Sequence, residues 1–450
     1  MSLTEKNDSI KIGMIALGCN KNQVDAELML GSLASQGFEI CEDPVECDVV
    51  IVNTCGFIES AKRESIENIL QCCELKKQGV IKLVVVTGCL AERYRDEMAE
   101  LIPEADVILG IGANDEIGNA IKQALAGREV RSFYAPENLE MEGRRILVNY
   151  PHYAYIRIAE GCDNRCSYCA IPAIRGRYRS RPMENIIEEC KAFASKGVEE
   201  FIIIAQDTTR YGEDIYGKRM LPELLKGICA IDGIRWVRIL YAYPERVTDE
   251  LLDVMASEEK IVKYLDIPIQ HCSPKVLRAM HRKASTSAEI LAFIKHIREK
   301  VPGIALRTTL LTGFPGESDS DFEALCKFVK AAKFERLGCF AYSREEGTAS
   351  YDMPNQLDEE TKERRAEVIM QIQTLVSAAL LKKKVGTIME VVVEGYDNKN
   401  KVFRARSAQD APEIDGIVYF ASPEKHCIGD FVNVKIEKSS DYDLLGSLVE

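Results

Sequence analysis

The 450-residue sequence has no long hydrophobic run, and its first residues, Met1–Ser9, contain no apolar segment. A membrane-spanning helix needs about 20 apolar residues, and a signal peptide needs a shorter apolar stretch near the N-terminus. Because neither is present, we expect a cytoplasmic protein that does not interact with membranes. Excess positive charge is also lacking: the net charge of -13 disfavours a general nucleic-acid binder, since an acidic protein repels phosphate and attracts basic partners.

Cysteine, in contrast, is abundant, with sixteen residues. The cytosol keeps thiols reduced, so this number favours metal binding over disulfides. Cys162, Cys166 and Cys169 form a C-x3-C-x2-C run directly after a predicted strand. The run lacks a local fourth ligand, whereas structural zinc sites and electron-transfer clusters normally have four. We therefore expect a metal centre with one position open for a substrate or cofactor.

The spacing of this run differs from the C-x2-C pairs of zinc ribbons and from the C-x2-C-x2-C-x3-C run of bacterial ferredoxins. A zinc site or a fortuitous cluster is the minor alternative. Ten of the other cysteines have no partner at ligand spacing and are interpreted as small buried hydrophobes.

Three further cysteines, Cys19, Cys55 and Cys89, each follow a predicted strand near the N-terminus, and each has a glycine beside it. The carboxyl ends of parallel strands meet at one edge of a sheet, where ligands bind in open α/β folds. Glycine allows the backbone to approach a bulky group closely. Any one of these cysteines alone would be interpreted as a buried hydrophobe, but three in equivalent positions predict a second cluster site.

Three regions with different patterns indicate three domains, and the 46% hydrophobic content is sufficient for several cores. In residues 10–127, short apolar runs alternate with helical patterns, which predicts a doubly wound parallel sheet. Residues 128–149 are charged, lack periodicity and are interpreted as a linker. In residues 150–380, six strand–helix units predict a partial (β/α)6 barrel resembling a TIM barrel. Five short strands in residues 381–450 predict a small antiparallel barrel.

The strands expected for the central region are Tyr155 to Ala159, Phe201 to Ala205, Trp236 to Leu240, Leu265 to Ile269, Leu306 to Leu311 and Leu337 to Ala341.

The C-x3-C-x2-C run resembles the signature of radical S-adenosylmethionine (SAM) enzymes, and Tyr168 supplies the aromatic residue that this signature has before its last cysteine. With both cysteine triads, the whole chain resembles the methylthiotransferases of that superfamily. Five segments are similar to the RimO type: residues 18–22, 53–58, 206–209, 266–272 and 411–416. Asn20 departs from the proline that we expect in many relatives.

The resemblance implies an N-terminal methylthiotransferase domain, a radical SAM domain and a C-terminal TRAM domain. It also implies two four-iron four-sulfur (4Fe-4S) clusters, a radical SAM cluster on Cys162, Cys166 and Cys169 and an auxiliary cluster on Cys19, Cys55 and Cys89. SAM would be used twice, once to methylate a sulfide on the auxiliary cluster and once to form a 5′-deoxyadenosyl radical. An electron donor such as flavodoxin or ferredoxin is also expected.

Four residues are candidate SAM contacts on the same basis. Tyr168 lies within the cysteine run, Gln206 and Asp207 follow the second barrel strand, and Arg307 lies on the fifth. Asp207 could instead cap a helix. No catalytic residue beyond the clusters is predicted.

The RimO type methylthiolates the β-carbon of an aspartate in protein twelve of the small ribosomal subunit, so the resemblance implies that ribosomal protein as the substrate. Residues 385–450 contain seven Lys and Arg against twelve Asp and Glu, a net charge of -5. Such a domain would repel RNA and suit a basic ribosomal protein, although the charge could merely follow the overall composition. The alternatives are methylthiolation of a transfer-RNA adenosine and, in another class, a noncatalytic iron–sulfur carrier or scaffold.

Overall fold

The computed structural model describes residues 9–449, which divide into two compact units. Within that range, the first unit comprises residues 9–148, 160–164 and 169–179. The second comprises residues 149–159, 165–168 and 180–449. No helix between residues 9 and 449 is long and apolar enough to cross a membrane.

The first unit contains a six-stranded parallel sheet with the strand order β2-β1-β3-β4-β5-β6. Its elements are β1 (Lys11–Ala16), α1 (Asn20–Ser35), β2 (Glu39–Ile40), β3 (Val49–Thr54), α2 (Glu59–Lys77), β4 (Leu83–Gly88), α3 (Cys89–Arg93), α4 (Arg95–Leu101), β5 (Val107–Leu109), α5 (Ile117–Leu125) and β6 (Val130–Ser132). All residues of β3 and β4 are buried, as expected for central parallel strands that are covered on both faces.

Helices cover both faces of this sheet. On one face, α1 and α5 contribute Met29, Leu33 and Ile121 to a hydrophobic core. On the other, α2 and α3 contribute Ile69 and Leu90 to a second core. This is the doubly wound arrangement that the alternating pattern predicts.

The segment predicted as a linker, residues 128–149, begins with a strand. Its strand β6 pairs in parallel with β5, and three residues are too few to give a recognisable pattern. Further along, the Ile146 amide donates to the Glu27 carbonyl at 3.1 Å, and Arg145 forms a buried ion pair with the Glu27 carboxylate. Much of the segment therefore packs on α1 and the sheet.

The elements of the central region are β7 (Tyr153–Arg157), β8 (Ala159–Glu160), α6 (Ile171–Arg175), β9 (Arg179–Ser180), α7 (Met183–Ala194), β10 (Glu200–Ile204), α8 (Glu213–Tyr216), α9 (Leu221–Cys229), β11 (Trp236–Ile239), α10 (Asp249–Ser257), β12 (Ile261–Asp266), α11 (Pro274–Ala279), α12 (Ser287–Lys300), β13 (Ala305–Thr312), α13 (Asp319–Ala332), β14 (Arg336–Ala341) and α14 (Glu359–Leu381). In the second unit, the parallel sheet runs β14-β13-β12-β11-β10-β7. Its strands are in chain order, as in a partial barrel of six strand–helix units.

Two of these strands begin and end earlier in the sequence than predicted. β7 begins at Tyr153 rather than Tyr155, and β12 spans Ile261–Asp266 rather than Leu265 to Ile269. The apolar residues after Asp266 do not extend β12, because Pro268 among them has no amide hydrogen to donate to a neighbouring strand. Hydrophobicity alone did not distinguish a strand from the buried loop that follows it.

The C-terminal strands are β15 (Ile388–Asp397), β16 (Val402–Ser407), β17 (Val418–Ala421), β18 (Phe431–Ser439) and β19 (Leu444–Leu448). They form a closed barrel in the order β15-β16-β17-β19-β18. Its core contains residues of all five strands together with Leu381, the last residue of α14. Four strand pairs are antiparallel, but β17 and β19 are parallel, a detail absent from the antiparallel barrel that was predicted. The predicted fold class is otherwise confirmed.

Candidate active site

The three N-terminal cysteines lie at the carboxyl ends of three neighbouring strands. Cys19 precedes α1, Cys55 directly follows β3, and Cys89 begins α3 directly after β4. Because β1, β3 and β4 are adjacent and parallel, these positions share one edge of the sheet. Their side chains differ in exposure: that of Cys19 is exposed, that of Cys55 is half-buried and that of Cys89 is buried.

Glycine allows the loops that carry these cysteines to approach one another. Gly18 has a φ of +89°, and a Cβ atom at this position would lie 2.7 Å from Cβ and 2.9 Å from Sγ of Cys55. At Gly56, a Cβ atom would lie 2.9 Å from the carbonyl oxygen of Cys89. Neither approach is possible with a larger residue, so the glycines bring the three cysteine loops together.

Asn22 on α1 links two of the loops through its side-chain amide. Nδ2 donates to the carbonyls of Leu17, at 2.6 Å, and Thr54, at 3.2 Å. In return, Nδ2 of Asn53 donates to the Asn22 carbonyl at 2.8 Å. These bonds fix the backbone immediately before Cys55 relative to the start of α1.

The backbone of Cys55 is fixed separately by Ser65 on α2. The Cys55 amide donates to the Ser65 hydroxyl oxygen at 3.0 Å, and that hydroxyl donates to the Cys55 carbonyl at 3.0 Å. Ser65 is fully buried, and the pair closes the loop between β3 and α2.

Electrostatics also indicate that the three thiols are neighbours. Burial raises the pKa of the Cys89 thiol to about 12, the charge of Arg175 opposes this, and the charges of Cys19 and Cys55 raise the pKa further. Burial likewise raises the pKa of Cys55, with a contribution from Cys19. The thiols of Cys55 and Cys89 would therefore be neutral at physiological pH unless a metal replaces their protons, because a coordinating thiol is deprotonated.

The donor set at this edge fits an iron–sulfur cluster in its chemistry. Cysteine thiolates are the usual ligands of such clusters. A Cβ atom at Gly18 would lie 2.9 Å from Sγ of Cys55, so glycine keeps the space beside that sulfur open. Three cysteines would bind three irons of a four-iron cluster and would leave the fourth iron without a protein ligand.

The second triad lies between β8 and α6. Cys162 is buried, and its amide donates to the Gly176 carbonyl at 3.2 Å, whereas Cys166 and Cys169 are half-buried. The sulfur of Cys166 lies 3.7 Å from the hydroxyl of Tyr243. The donor chemistry of this triad, three thiols and no local fourth ligand, is also that of an iron–sulfur cluster with one open iron.

Tyr243 and Arg282 are neighbours of Cys166 that sequence reasoning missed. The Arg282 guanidinium carbon lies 4.0 Å from the centre of the Tyr243 ring, and Arg282 donates to the Pro268 carbonyl at 2.9 Å. Burial lowers the pKa of Arg282, but the nearby Tyr168, Tyr243 and Cys166 outweigh it, and the pKa lies above its usual range. The one sequence signal for Tyr243 is its position shortly after β11, near the carboxyl end of a sheet strand.

Asp207 and Arg307, two of the predicted SAM contacts, are held by ion pairs. Asp207 is buried, and its carboxylate accepts from Arg246 Nη1 at 2.7 Å and from the Thr209 hydroxyl at 2.6 Å. Arg307 pairs with Asp266 at 3.1 Å and with Asp415 at 3.7 Å.

Asp207 makes no side-chain cap to the short helix that follows it. The other two predicted contacts, Tyr168 and Gln206, are half-buried, and Gln206 follows β10 by two residues.

Three family models match parts of this chain. Residues 156–329 match the radical SAM superfamily, residues 11–110 match the uncharacterized protein family UPF0004, and residues 385–449 match the TRAM domain. The chain is 48% identical to the ribosomal protein uS12 methylthiotransferase RimO of Clostridium acetobutylicum, over 98% of both chains. It is 46% identical to the protein of that name from Clostridium kluyveri, again over 98% of both chains.

The chain belongs to the RimO family of methylthiotransferases. It is therefore a transferase, and the radical SAM match implies that it uses SAM and a 4Fe-4S cluster. The expected membership of the methylthiotransferases is confirmed.

Solved structures resemble the chain in fold. The radical SAM methyltransferase TsrM from Kitasatospora setae aligns with a TM-score of 0.56 over 85% of this chain and 78% of its own, at 14% identity. A second structure of that protein, with cobalamin and a 4Fe-4S cluster bound, gives a TM-score of 0.55 over 85% and 80%. At this identity the similarity concerns the fold alone.

Proposed function

We propose that this chain adds a methylthio group to the β-carbon of an aspartate in ribosomal protein uS12, which is protein twelve of the small subunit. The observation that carries the proposal is the 48% identity, over 98% of both chains, to a protein named for that activity. Two triads of cysteines, each with an open coordination position, match the need for a radical source and a sulfur source.

We assign the radical SAM cluster to Cys162, Cys166 and Cys169, and the auxiliary cluster to Cys19, Cys55 and Cys89. The clusters and SAM together supply the radical and the methylthio group, because no side chain can ionise an unactivated C–H bond.

The chain's own residues hold and orient these groups. Gly18 allows the backbone to lie against Cys55, and Asn22 fixes the loop before that cysteine. Near the other triad, the half-buried Cys166 is covered on one side by Tyr243.

The four SAM contacts stay predictions. Tyr168 has the strongest support, because it lies two residues after Cys166 and close enough to Arg282 to raise the pKa of that residue. Asp207 and Arg307 already have protein partners, so their contribution would be to hold neighbouring groups in place unless SAM displaces those partners. Three other expectations also stay predictions: the division into domains at residues 127, 149 and 380, the flavodoxin or ferredoxin that donates electrons, and the cytoplasmic location.

A protein substrate is supported by the charge of the C-terminal barrel. One of its seven cationic residues, Arg406, is buried in an ion pair with Glu200 of β10. Arg406 cannot therefore contact phosphate. Asp410 and Asp415 are likewise buried, paired with Arg336 and Arg307, but acidic residues remain in excess over cationic ones in this domain. An RNA-binding domain would need an excess of positive charge, whereas an acidic domain attracts a basic ribosomal protein.

The decisive assay compares the two substrates under identical conditions. Protein reconstituted with iron and sulfide would be incubated anaerobically with SAM, a reductant and either uS12 or transfer RNA. We expect uS12 to gain the mass of a methylthio group in place of hydrogen at one aspartate, and transfer RNA to remain unchanged. Modification of transfer RNA alone would refute the proposed substrate.

Iron analysis tests the two clusters separately. We expect about eight irons per chain in the reconstituted protein and about four in Cys89→Ala. Cys89→Ala should still cleave SAM to 5′-deoxyadenosine but should not modify uS12. About four irons in the unaltered protein would show that only one triad holds a cluster, and absence of SAM cleavage would favour a carrier or scaffold.

A further inference from the structure

Arg175, the last residue of α6, is only 1% exposed. It lies six residues after Cys169 in the chain, but its guanidinium contacts α1 and the first residue of α3 within the first unit. A fully buried arginine needs compensating partners because removing its charge from water is costly. The identity of those partners indicates what the residue does.

One partner is a cysteine assigned to the auxiliary cluster. Nη2 of Arg175 donates to Sγ of Cys89 at 3.2 Å and to Oδ1 of Asn22 at 3.3 Å. Nη1 donates to the carboxylates of Asp25, at 2.6 Å, and Glu160, at 3.3 Å. One edge of the guanidinium therefore faces the sulfur, and its orientation is set by two buried acids.

These partners also explain why the Arg175 guanidinium is fixed in position. Asp25 and Asn22 are on α1, the helix that begins beside Cys19, and Glu160 precedes Cys162 by two residues. All of them are at most 2% exposed, so little solvent is available to screen the positive charge. Because Nη1 is held by the two carboxylates and Nη2 also donates to Asn22, the planar guanidinium keeps Nη2 directed at Cys89.

Hydrogen bonds to cysteine sulfurs and nearby charge are among the properties that set the reduction potential of an iron–sulfur cluster. A cation with a donor directed at a ligand sulfur stabilises the more negative, reduced form of the cluster. We propose that Arg175 is a positioning residue that raises the reduction potential of the cluster held by Cys19, Cys55 and Cys89. This inference rests on the proposed auxiliary cluster and adds a residue that controls its redox state.

The test measures that potential directly. In the full chain carrying Cys162→Ala, Cys166→Ala and Cys169→Ala, only the auxiliary cluster can form, so its electron paramagnetic resonance signal can be titrated without interference. In this background, we expect Arg175→Gln to lower the ratio of reduced to oxidised cluster at least tenfold at a fixed potential. For a one-electron couple, this corresponds to a midpoint about 59 mV lower.

Two further variants distinguish the effect of the contact between Arg175 and Cys89 from a general effect of nearby positive charge. Arg177→Gln removes a positive charge from the same segment, but its side chain is 79% exposed and pairs with Asp163 at 2.6 Å. We expect it to change the ratio less than twofold, because water screens that charge. Arg175→Lys keeps the charge but cannot donate to Asp25 and Cys89 with one planar group, so we expect a decrease of about threefold.

The outcomes are distinguishable. A background protein that binds no iron refutes the auxiliary cluster, and with it the proposed function. A background protein that binds about four irons, with an unchanged midpoint in Arg175→Gln, refutes this inference alone. If Arg175→Gln fails to hold a cluster, the inference is judged on Arg175→Lys, and an unchanged midpoint there refutes it.

Discussion

A buried ion cluster joins the C-terminal barrel to the central sheet, and we expect Glu200→Gln to weaken that contact strongly. Glu200 on β10 is fully buried between Arg238, at 2.9 Å, and Arg406 of β16, with which it forms a close ion pair. Glutamine has nearly the same size but no charge. The variant would leave two buried guanidinium groups without this carboxylate.

The expected cost follows from the burial of all three groups. Breaking a buried ion pair by removing one partner costs about 3–5 kcal/mol, because a charge stays buried without its counter-ion. Arg406 retains a second carboxylate, Glu394 at 2.8 Å, which limits its part of the loss. Arg238 still donates to the Ala408 carbonyl at 3.0 Å. We therefore expect the loss in free energy of unfolding to lie near the lower end of this range, at about 3 kcal/mol.

The chain contains its own reporter for this contact. Its one tryptophan, Trp236 on β11, packs edge-on against Phe431 of β18 with the ring centres 4.8 Å apart. Separation of the barrel from the sheet would expose the indole and change its fluorescence. A urea titration followed by tryptophan fluorescence therefore gives the free energy of unfolding for this region.

Glu390→Gln is the matched control. Glu390 also joins the barrel to the sheet, by pairing with Arg235 and accepting from Trp236 Nε1 at 3.2 Å. The Arg235 and Glu390 side chains are 44% and 37% exposed, so the pair contributes at most about 1 kcal/mol. The reasoning fails if Glu200→Gln destabilises the protein no more than Glu390→Gln does.

Acid should diminish the difference between the wild type and Glu200→Gln. Burial raises the pKa of Glu200, but Arg406 and Arg238 outweigh it and hold the pKa below its usual value. The stabilisation is therefore complete above the unfolded pKa of about 4.3 and is lost as pH falls through the lower folded pKa. Urea titrations at decreasing pH should show the two proteins converging below about pH 4.

Two further predictions concern single residues. Cys166→Ala should abolish cleavage of SAM to 5′-deoxyadenosine, measured by chromatography of the reaction mixture; cleavage at the normal rate would contradict the assignment of the radical SAM cluster. Gly88→Ala should lower the thermal midpoint measured by circular dichroism, because Gly88 has a φ of +98° and a Cβ atom would lie 2.5 Å from the Thr54 backbone. Gly79→Ala is its control, with a φ of +78° and nothing within 4 Å of a Cβ atom, and a decrease no larger for Gly88→Ala would contradict the steric argument.

Several parts of the fold could be predicted because they depend on local pattern. The continuous apolar runs of β3 and β4 and the six repeated strand–helix units indicated parallel sheets, and these are observed. Short elements were missed: β2 and β6 contain two and three residues and carry no pattern of their own. Pairing with a neighbouring strand is what makes such segments strands.

For the candidate site, the sequence by itself predicted the chemistry. Spacing predicted Cys162, Cys166 and Cys169 as cluster ligands, and equivalent positions after three strands predicted Cys19, Cys55 and Cys89. Both signals are local. Cys162, Cys166 and Cys169 lie on one loop, where ligands of one cluster need a fixed spacing. Each of the other three cysteines follows a strand that the sequence pattern itself reveals.

Only the tertiary structure decided what surrounds those sulfur atoms. Arg175 contacts Cys89, 86 positions away in the chain, and Tyr243 contacts Cys166 at a separation of 77. No periodicity or motif predicts such pairs, because a buried cation or ring is positioned by packing of distant elements. The type and spacing of the cysteines thus predict where clusters can form, whereas long-range contacts set the charge and hydrogen bonds around those cysteines.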